Sequence, residues 1–174
     1  MATWTIDPMH SEIGFKVKHL VISTVSGKFK TFEGKVEAEK EDFSDAKVTF
    51  SADVNSIDTG VEQRDQHLKS ADFFDVEQYP KLNFESTAVT KNGDEYELTG
   101  NLTLKGITKS ITLKVELGGV GPNMHGQTVA GFEATGKINR KEFGLTWDAV
   151  TDNGGVVVSD EVKVVANVEL VKQA

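Results

Sequence analysis

The sequence predicts an all-β fold: a single antiparallel barrel of about eight strands, with a short helix near residues 60–69 covering one end. Three observations carry this. Apolar and polar residues alternate along most of the 174 residues, as they do in half-buried strands. The alternating segments are joined by short turns, one of them an Asn-Gly pair, Asn92-Gly93. One stretch, "SIDTGVEQRDQHLKS" (56–70), breaks the alternation. An open sheet of this size leaves exposed edges, and closure into a barrel removes them. Internal repeats, low-complexity tracts and linkers are missing, so the chain is read as one domain over residues 1–174.

A strand starts by Thr3. In "EIGFKVKHL", Ile13, Phe15, Val17 and His19 share one face and Glu12, Lys16 and Lys18 the other. Phe32, Gly34, Val36 and Ala38 alternate with Glu33, Lys35, Glu37 and Glu39. Ala46, Val48, Phe50, Ala52 and Val54 form the next inward face, followed by Leu82, Phe84, Ser86 and Ala88. After the turn come Tyr96, Leu98, Gly100, Leu102 and Leu104, then Ile111, Leu113, Val115 and Leu117. "GGVGPNMHG" (118–126) reads as a loop. Ala130, Phe132, Ala134, Gly136 and Ile138 follow, then a short face of Phe143, Leu145 and Trp147. The last strand carries Val162, Val164, Ala166, Val168 and Leu170. Strands of about 10 residues at ~3.3 Å each, tilted by about 40°, give a barrel around 25 Å tall. Such a barrel is filled by side chains or holds one small ligand. The small inward residues favour a cavity, and equally fit opposite Phe and Trp in a filled core.

The odd stretch has the spacing of a capping box, with Thr59 as N-cap and Glu62 three residues on. In the helix that follows, Val61, Arg64, Asp65 and Leu68 share a face. Three readings stand. The helix plugs the barrel, with Val61 and Leu68 inward and Arg64 and Asp65 at the rim, paired with loops or with each other. Alternatively, its polar groups orient a ligand head group, or His67 and Asp65 perform chemistry.

Composition narrows the function. With 38% hydrophobic and 26% charged residues the chain suits a soluble globular protein. No apolar run approaches the roughly 20 residues of a membrane-spanning helix, so stable membrane insertion is not expected. "MATWTIDPMH" lacks a basic segment followed by an apolar core, so the expected location is cytoplasmic, or periplasmic if a leader has been removed. Cysteine is absent, which excludes disulfides and thiolate metal sites. The four histidines, His10, His19, His67 and His125, lack helical ligand spacing, so neither metal nor cofactor is expected. No "GxSxG" turn is present, and "GGVG" (118–121) does not open a helix. The net charge is −8, and the 19 basic residues stand singly among 27 acidic ones. Binding to nucleic acid or to anionic membranes is therefore not expected.

Six stretches, taken in order, resemble the YceI-like family of lipid-binding bacterial proteins. They are "WTIDPMHSEIGFKVKHL" (4–20), "GKFKTFEG" (27–34), "SIDTGVEQRDQHLKSADFFD" (56–75), "YPKLNFES" (79–86), "GNLTLKGITKSITL" (100–113) and "INRKEFGL" (138–145). The resemblance implies a lipocalin-like barrel whose interior tunnel binds a long isoprenoid such as a prenyl quinone. It implies a non-enzymatic carrier or storage protein whose partner is an apolar small molecule. The candidate wall residues are Ile13, Phe15, Val17, Phe32, Phe50, Leu68, Phe73, Phe74, Leu82, Phe84, Leu102, Phe132, Phe143 and Trp147. At the mouth the candidates are His19, Arg64, Asp65 and His67. A homodimer is compatible with the sequence. The competing functions are an enzyme acting on a hydrophobic substrate through His67 and Asp65, and a filled barrel acting through its surface.

Overall fold

A computed structural model describes residues 2–19, 23–146 and 158–174, with only the backbone at residue 19. Eleven strand segments follow one another: β1 (Ala2–Ile6), β2 (Glu12–His19), β3 (Ser23–Phe29), β4 (Phe32–Ala38), β5 (Lys47–Asp53) and β6 (Ile57–Asp58) precede the helix α1 (Glu62–Lys69). After it come β7 (Lys81–Asn92), β8 (Glu95–Leu104), β9 (Ile107–Pro122), β10 (Thr128–Asn139) and β11 (Val158–Lys172).

These segments build a closed antiparallel barrel of eight staves. β1 and β2 lie end to end along β11, with Ile6 opposite Leu170 and Glu12 opposite Asn167. β3 pairs with β2 and β4 with β1, so β3 and β4 together make the second stave. From there each strand pairs with the next in the chain, through β5, β7, β8, β9 and β10 to β11. The pairing of β11 with β1, and of β1 with β4, closes the ring, while β2 and β3 continue from β11 to the two-residue β6. Two hairpins turn in two residues: Gly93 takes φ +67, and Lys105 and Gly106 take +52 and +74. Positive φ at both central residues matches the twist of a two-residue hairpin, which explains the Lys-Gly pair at the β8–β9 turn.

The alternation places most side chains correctly, with three departures, two of them at β-bulges. The ladder slips between Ser86 and Ala88, so Val89 points inward and Ala88 is exposed. Ser86 Oγ meanwhile accepts the Val48 amide at 2.8 Å. A second slip between Gly131 and Phe132 lets β9 run on to Pro122, so 118–122 is strand rather than loop. The segment Arg140–Phe143 is a 3-10 turn closed by Gly144 at φ +76, not a short strand. Trp147 lies outside the described residues.

The helix also differs from its sequence reading. Its N-cap position is Val61 and carries no side-chain cap bond. Val61 is 47% exposed, because the chain enters the helix extended and turns that side chain outward. Leu68 alone of the two packs on the core. Most of that end is covered by Phe73, Phe143 and Leu145, with Phe74 beside them.

Candidate functional site

The inward residues separate into three levels. At the α1 end, Phe29, Ala52, Val54, Ile57, Leu82, Leu104 and Phe143 belong to a fully buried cluster. At the other end Trp4, Val36, Ala38, Phe43, Tyr96, Ala130 and Leu170 form a second. Between them Ile13, Phe15, Val48, Phe50, Leu98, Ile111 and Leu113 keep exposed surface although they point into the barrel. Inward apolar side chains stay partly exposed only where the interior is open. The open space is a cavity of about 310 Å³. One water needs roughly 10–15 Å³ on the same footing, so the barrel is hollow rather than filled.

Polar atoms contribute almost nothing to the cavity wall. β11 lines it from Val158 to Leu170, so the space is elongated along the barrel. Its charged lining residues are Lys35, whose ammonium pairs with Glu37 at 2.7 Å, and Arg140. The wall owes its shape partly to glycine. Phe15 lies over Gly27 on the neighbouring strand, and Phe84 lies over Gly100, where a Cβ would collide with the ring.

The two ends are closed in different ways. The β4–β5 loop seals one end with Phe43, which is 4% exposed and holds φ +61. Its ring packs against Trp4 at 5.1 Å and edge-on to Phe132 at 5.2 Å. Tyr96 Oη donates to the Asp42 carbonyl at 2.6 Å. Asp45 accepts the amides of Glu39 and Lys40 at 2.9 and 3.1 Å, which fixes the loop and holds its carboxyl below the usual range.

At the α1 end Arg140 is 3% exposed and serves as a hub. Its guanidinium donates to the carbonyls of Ser159, Leu145 and Val158 at 2.9, 2.6 and 3.3 Å. Lys105 donates to the carbonyls of Gly144 and Ala71 at 3.2 and 3.4 Å. Two cations thus tie the loops of this end through main-chain oxygens.

Of the candidate wall residues, Ile13, Phe15, Val17, Phe50, Leu68, Phe73, Phe74, Leu82, Phe84, Leu102 and Phe132 line the cavity. Phe32 packs behind Phe50 at 6.2 Å, and Phe143 is 1% exposed beneath the floor. Both support the wall rather than form it. Arg64, Asp65 and His67 do not line it. Arg64 and Asp65 also make no ion pair with each other, because Thr59 takes up both. Thr59 Oγ1 accepts from Arg64 Nε at 2.7 Å and donates to Asp65 Oδ1, which also accepts the Thr59 amide at 2.9 Å. His67 Nε2 lies 3.0 Å from Asp72 Oδ2, and its ring meets Phe73 edge-on. The side chain of His19 lies outside the described residues.

The sequence reading did not single out Arg140, Phe43 or Tyr96 as a site group. The available signal for Phe43 was a lone aromatic within the acidic run "EKEDFSD". On the outer wall Asp7, His10 and Glu169 bring ligand-type atoms within 4.8 Å of one another. His10 Nδ1 lies 2.7 Å from Asp7 Oδ2, and that bond raises the histidine pKa and lowers the aspartate's. An exposed ion pair accounts for this cluster.

Fold and cavity together define a class, the up-and-down β-barrel with a hollow apolar interior. Within it, a family model described as the YceI-like domain matches residues 4–170, and the chain belongs to that family. A UPF0312 protein of Staphylococcus aureus is 41% identical over 170 residues, 97% of each chain. The crystal structure of Burkholderia cenocepacia BcnA superposes with a TM-score of 0.82 at 25% identity, covering 94% of this chain and 98% of that one. The Campylobacter jejuni YceI protein gives 0.77 at 30% identity and 90% of each chain. A polyisoprenoid binding domain from Saccharophagus degradans shares the fold, with a TM-score of 0.67 at 14% identity over 98% of each chain.

Proposed function

We propose that this protein binds one long apolar lipid of the isoprenoid type along the barrel axis and acts as a carrier or store rather than an enzyme. The observation that carries the reading is the elongated cavity with an almost wholly apolar wall. Side chains facing an open apolar space lack packing partners on one side, so an apolar occupant gains contacts that the empty barrel does not make. Each buried CH₂ contributes about 0.8 kcal/mol, and a few prenyl units suffice for micromolar affinity, about −8 kcal/mol, after ordering losses. The tilted and edge-on aromatics around Phe43 suit the tail, and the loops tied by Arg140 suit the polar end. The Saccharophagus degradans domain, named for polyisoprenoid binding, supports this ligand class.

The test is organic extraction of the purified protein with mass spectrometry, followed by loading with a prenyl quinone. The expected result is one apolar molecule per chain and a rise in melting temperature on loading. Protein that is ligand-free in native mass spectrometry, and whose melting temperature and Trp emission ignore prenyl quinones, refutes the reading.

A further inference from the structure

The basic residues stand singly in the sequence, and the barrel register gathers some of them. Lys163 on β11 lies directly across from Lys137 on β10 and from Lys16 on β2. Three ammonium side chains therefore form a lateral row over three adjacent strands, about 10 Å across at the ~4.8 Å strand spacing. Lys18 projects from the same face, two residues along β2, and all four are exposed. Glu161 is the one described carboxylate paired with the row, 3.6 Å from Lys137, and both partners are strongly exposed. Lys16, Lys18 and Lys163 form no ion pair with a described residue. Like charges directly opposite one another destabilise a sheet, and the core gains nothing from these outward groups. The wall is one residue thick here: Val17 and Val162, beside Lys16 and Lys163, line the cavity. The row lies towards the end that holds Val158 and Arg140.

We propose that the Lys137–Lys163–Lys16 row, with Lys18, docks the barrel reversibly on an anionic lipid bilayer through the phosphate head groups. Charge complementarity selects this partner despite the net charge of −8. At physiological salt, charges more than about 8 Å apart are largely screened, so the bilayer meets the local row rather than the net charge. A nucleic-acid complex with about 6–10 phosphate contacts draws on more cations than this row supplies. A few lysines at an anionic surface bind weakly and reversibly, each changing affinity about 5-fold. No helix among the described residues is long and apolar enough to cross a membrane, so the contact is peripheral. The docking rests on the outer wall and does not depend on what fills the cavity.

The experiment is co-sedimentation of the full chain with phosphatidylcholine vesicles, with and without phosphatidylglycerol, at low and physiological salt. Binding is expected only with phosphatidylglycerol and weakens as salt rises. Lys16→Gln with Lys163→Gln lowers affinity about 25-fold, while the melting temperature holds or rises because the repulsion is relieved. Lys81→Gln, where the lysine stands on β7 away from the row and pairs with Asp53, leaves binding unchanged. Failure to bind phosphatidylglycerol vesicles overturns the proposal, as does unchanged binding by the double variant or an equal loss in Lys81→Gln. Retention on heparin without retention on vesicles also overturns it. Prenyl quinone loading of the same variants, without vesicles, separates this outcome from failure of the carrier reading.

Discussion

The Phe43 ring sits 5.1 Å from the Trp4 ring, and it does so from a residue in the left-handed region, φ +61. Left-handed backbone at a residue with a side chain costs roughly 1–2 kcal/mol, whereas burying a phenylalanine returns more than that, about 1.5–3 kcal/mol. The strain is tolerated because the ring seals the barrel.

This relationship reverses the usual order of two substitutions. Phe43→Ala loses the ring and keeps the strain, for a destabilisation of about 3–5 kcal/mol. Phe43→Gly loses the same ring and relieves the strain, so it is expected to be the more stable by about 1 kcal/mol, although glycine is ordinarily the worse choice. Urea denaturation decides it. An alanine variant more stable than the glycine variant means the backbone is not strained.

Tyr96→Phe removes the bond to the Asp42 carbonyl and should destabilise by about 1 kcal/mol. Burial, and then the nearby charges of Asp42 and Asp94, push the Tyr96 pKa above 10.0. A raised folded-state pKa means that the folded chain holds the proton more tightly. The contribution is therefore complete below pH 10.0 and lost as pH rises through the folded pKa. Stability measured across that alkaline window should fall less steeply in Tyr96→Phe. Parallel slopes in the two proteins would remove Tyr96 as the cause.

Inward faces were legible because alternation is a local property of each strand. The bulges were not, because a slip such as that at Ser86–Ala88 depends on the partner strand. Arg140 reads in the sequence as one more surface cation. Its burial arises only when the loops around Leu145, Val158 and Ser159 aim their carbonyls at it. The charges of α1 were legible as a cluster that pairs internally or with a loop, but helical spacing cannot reveal that Thr59 folds back between them. Cross-strand neighbours such as Lys16 and Lys163 are distant in the chain, so only the register displays their row.

Phe84 tests the inner face. It is buried at 7% exposure, lines the cavity and lies over Gly100. Phe84→Asp removes a ring worth about 3–5 kcal/mol and leaves a carboxylate that must protonate or distort the strand. Folding and lipid loading should fail together, and Phe84→Leu should fold with weakened loading. Melting curves with prenyl quinone titration read both. An aspartate variant of ordinary stability that still loads fully would falsify the assignment of this face.

Thr59 tests how α1 is anchored. Its hydroxyl joins Arg64 to Asp65, while its main-chain oxygen accepts from Arg64 at 2.7 Å and its amide donates to Asp65 at 2.9 Å. Thr59→Val keeps the shape and the main-chain bonds and removes only the hydroxyl. Two hydrogen bonds to charged groups are lost, so destabilisation of about 1–3 kcal/mol is expected after allowance for partial exposure. A double-mutant cycle on Arg64→Ala and Asp65→Ala should give a coupling of about 0.5 kcal/mol or more in the parent and close to zero in Thr59→Val. Coupling that survives the valine would mean that the two charges attract each other directly. A neutral Thr59→Val would mean that water replaces the hydroxyl without loss. Lipid loading should be unchanged throughout, because none of the three side chains lines the cavity. A loading defect in a stable variant would return these residues to the mouth of the tunnel.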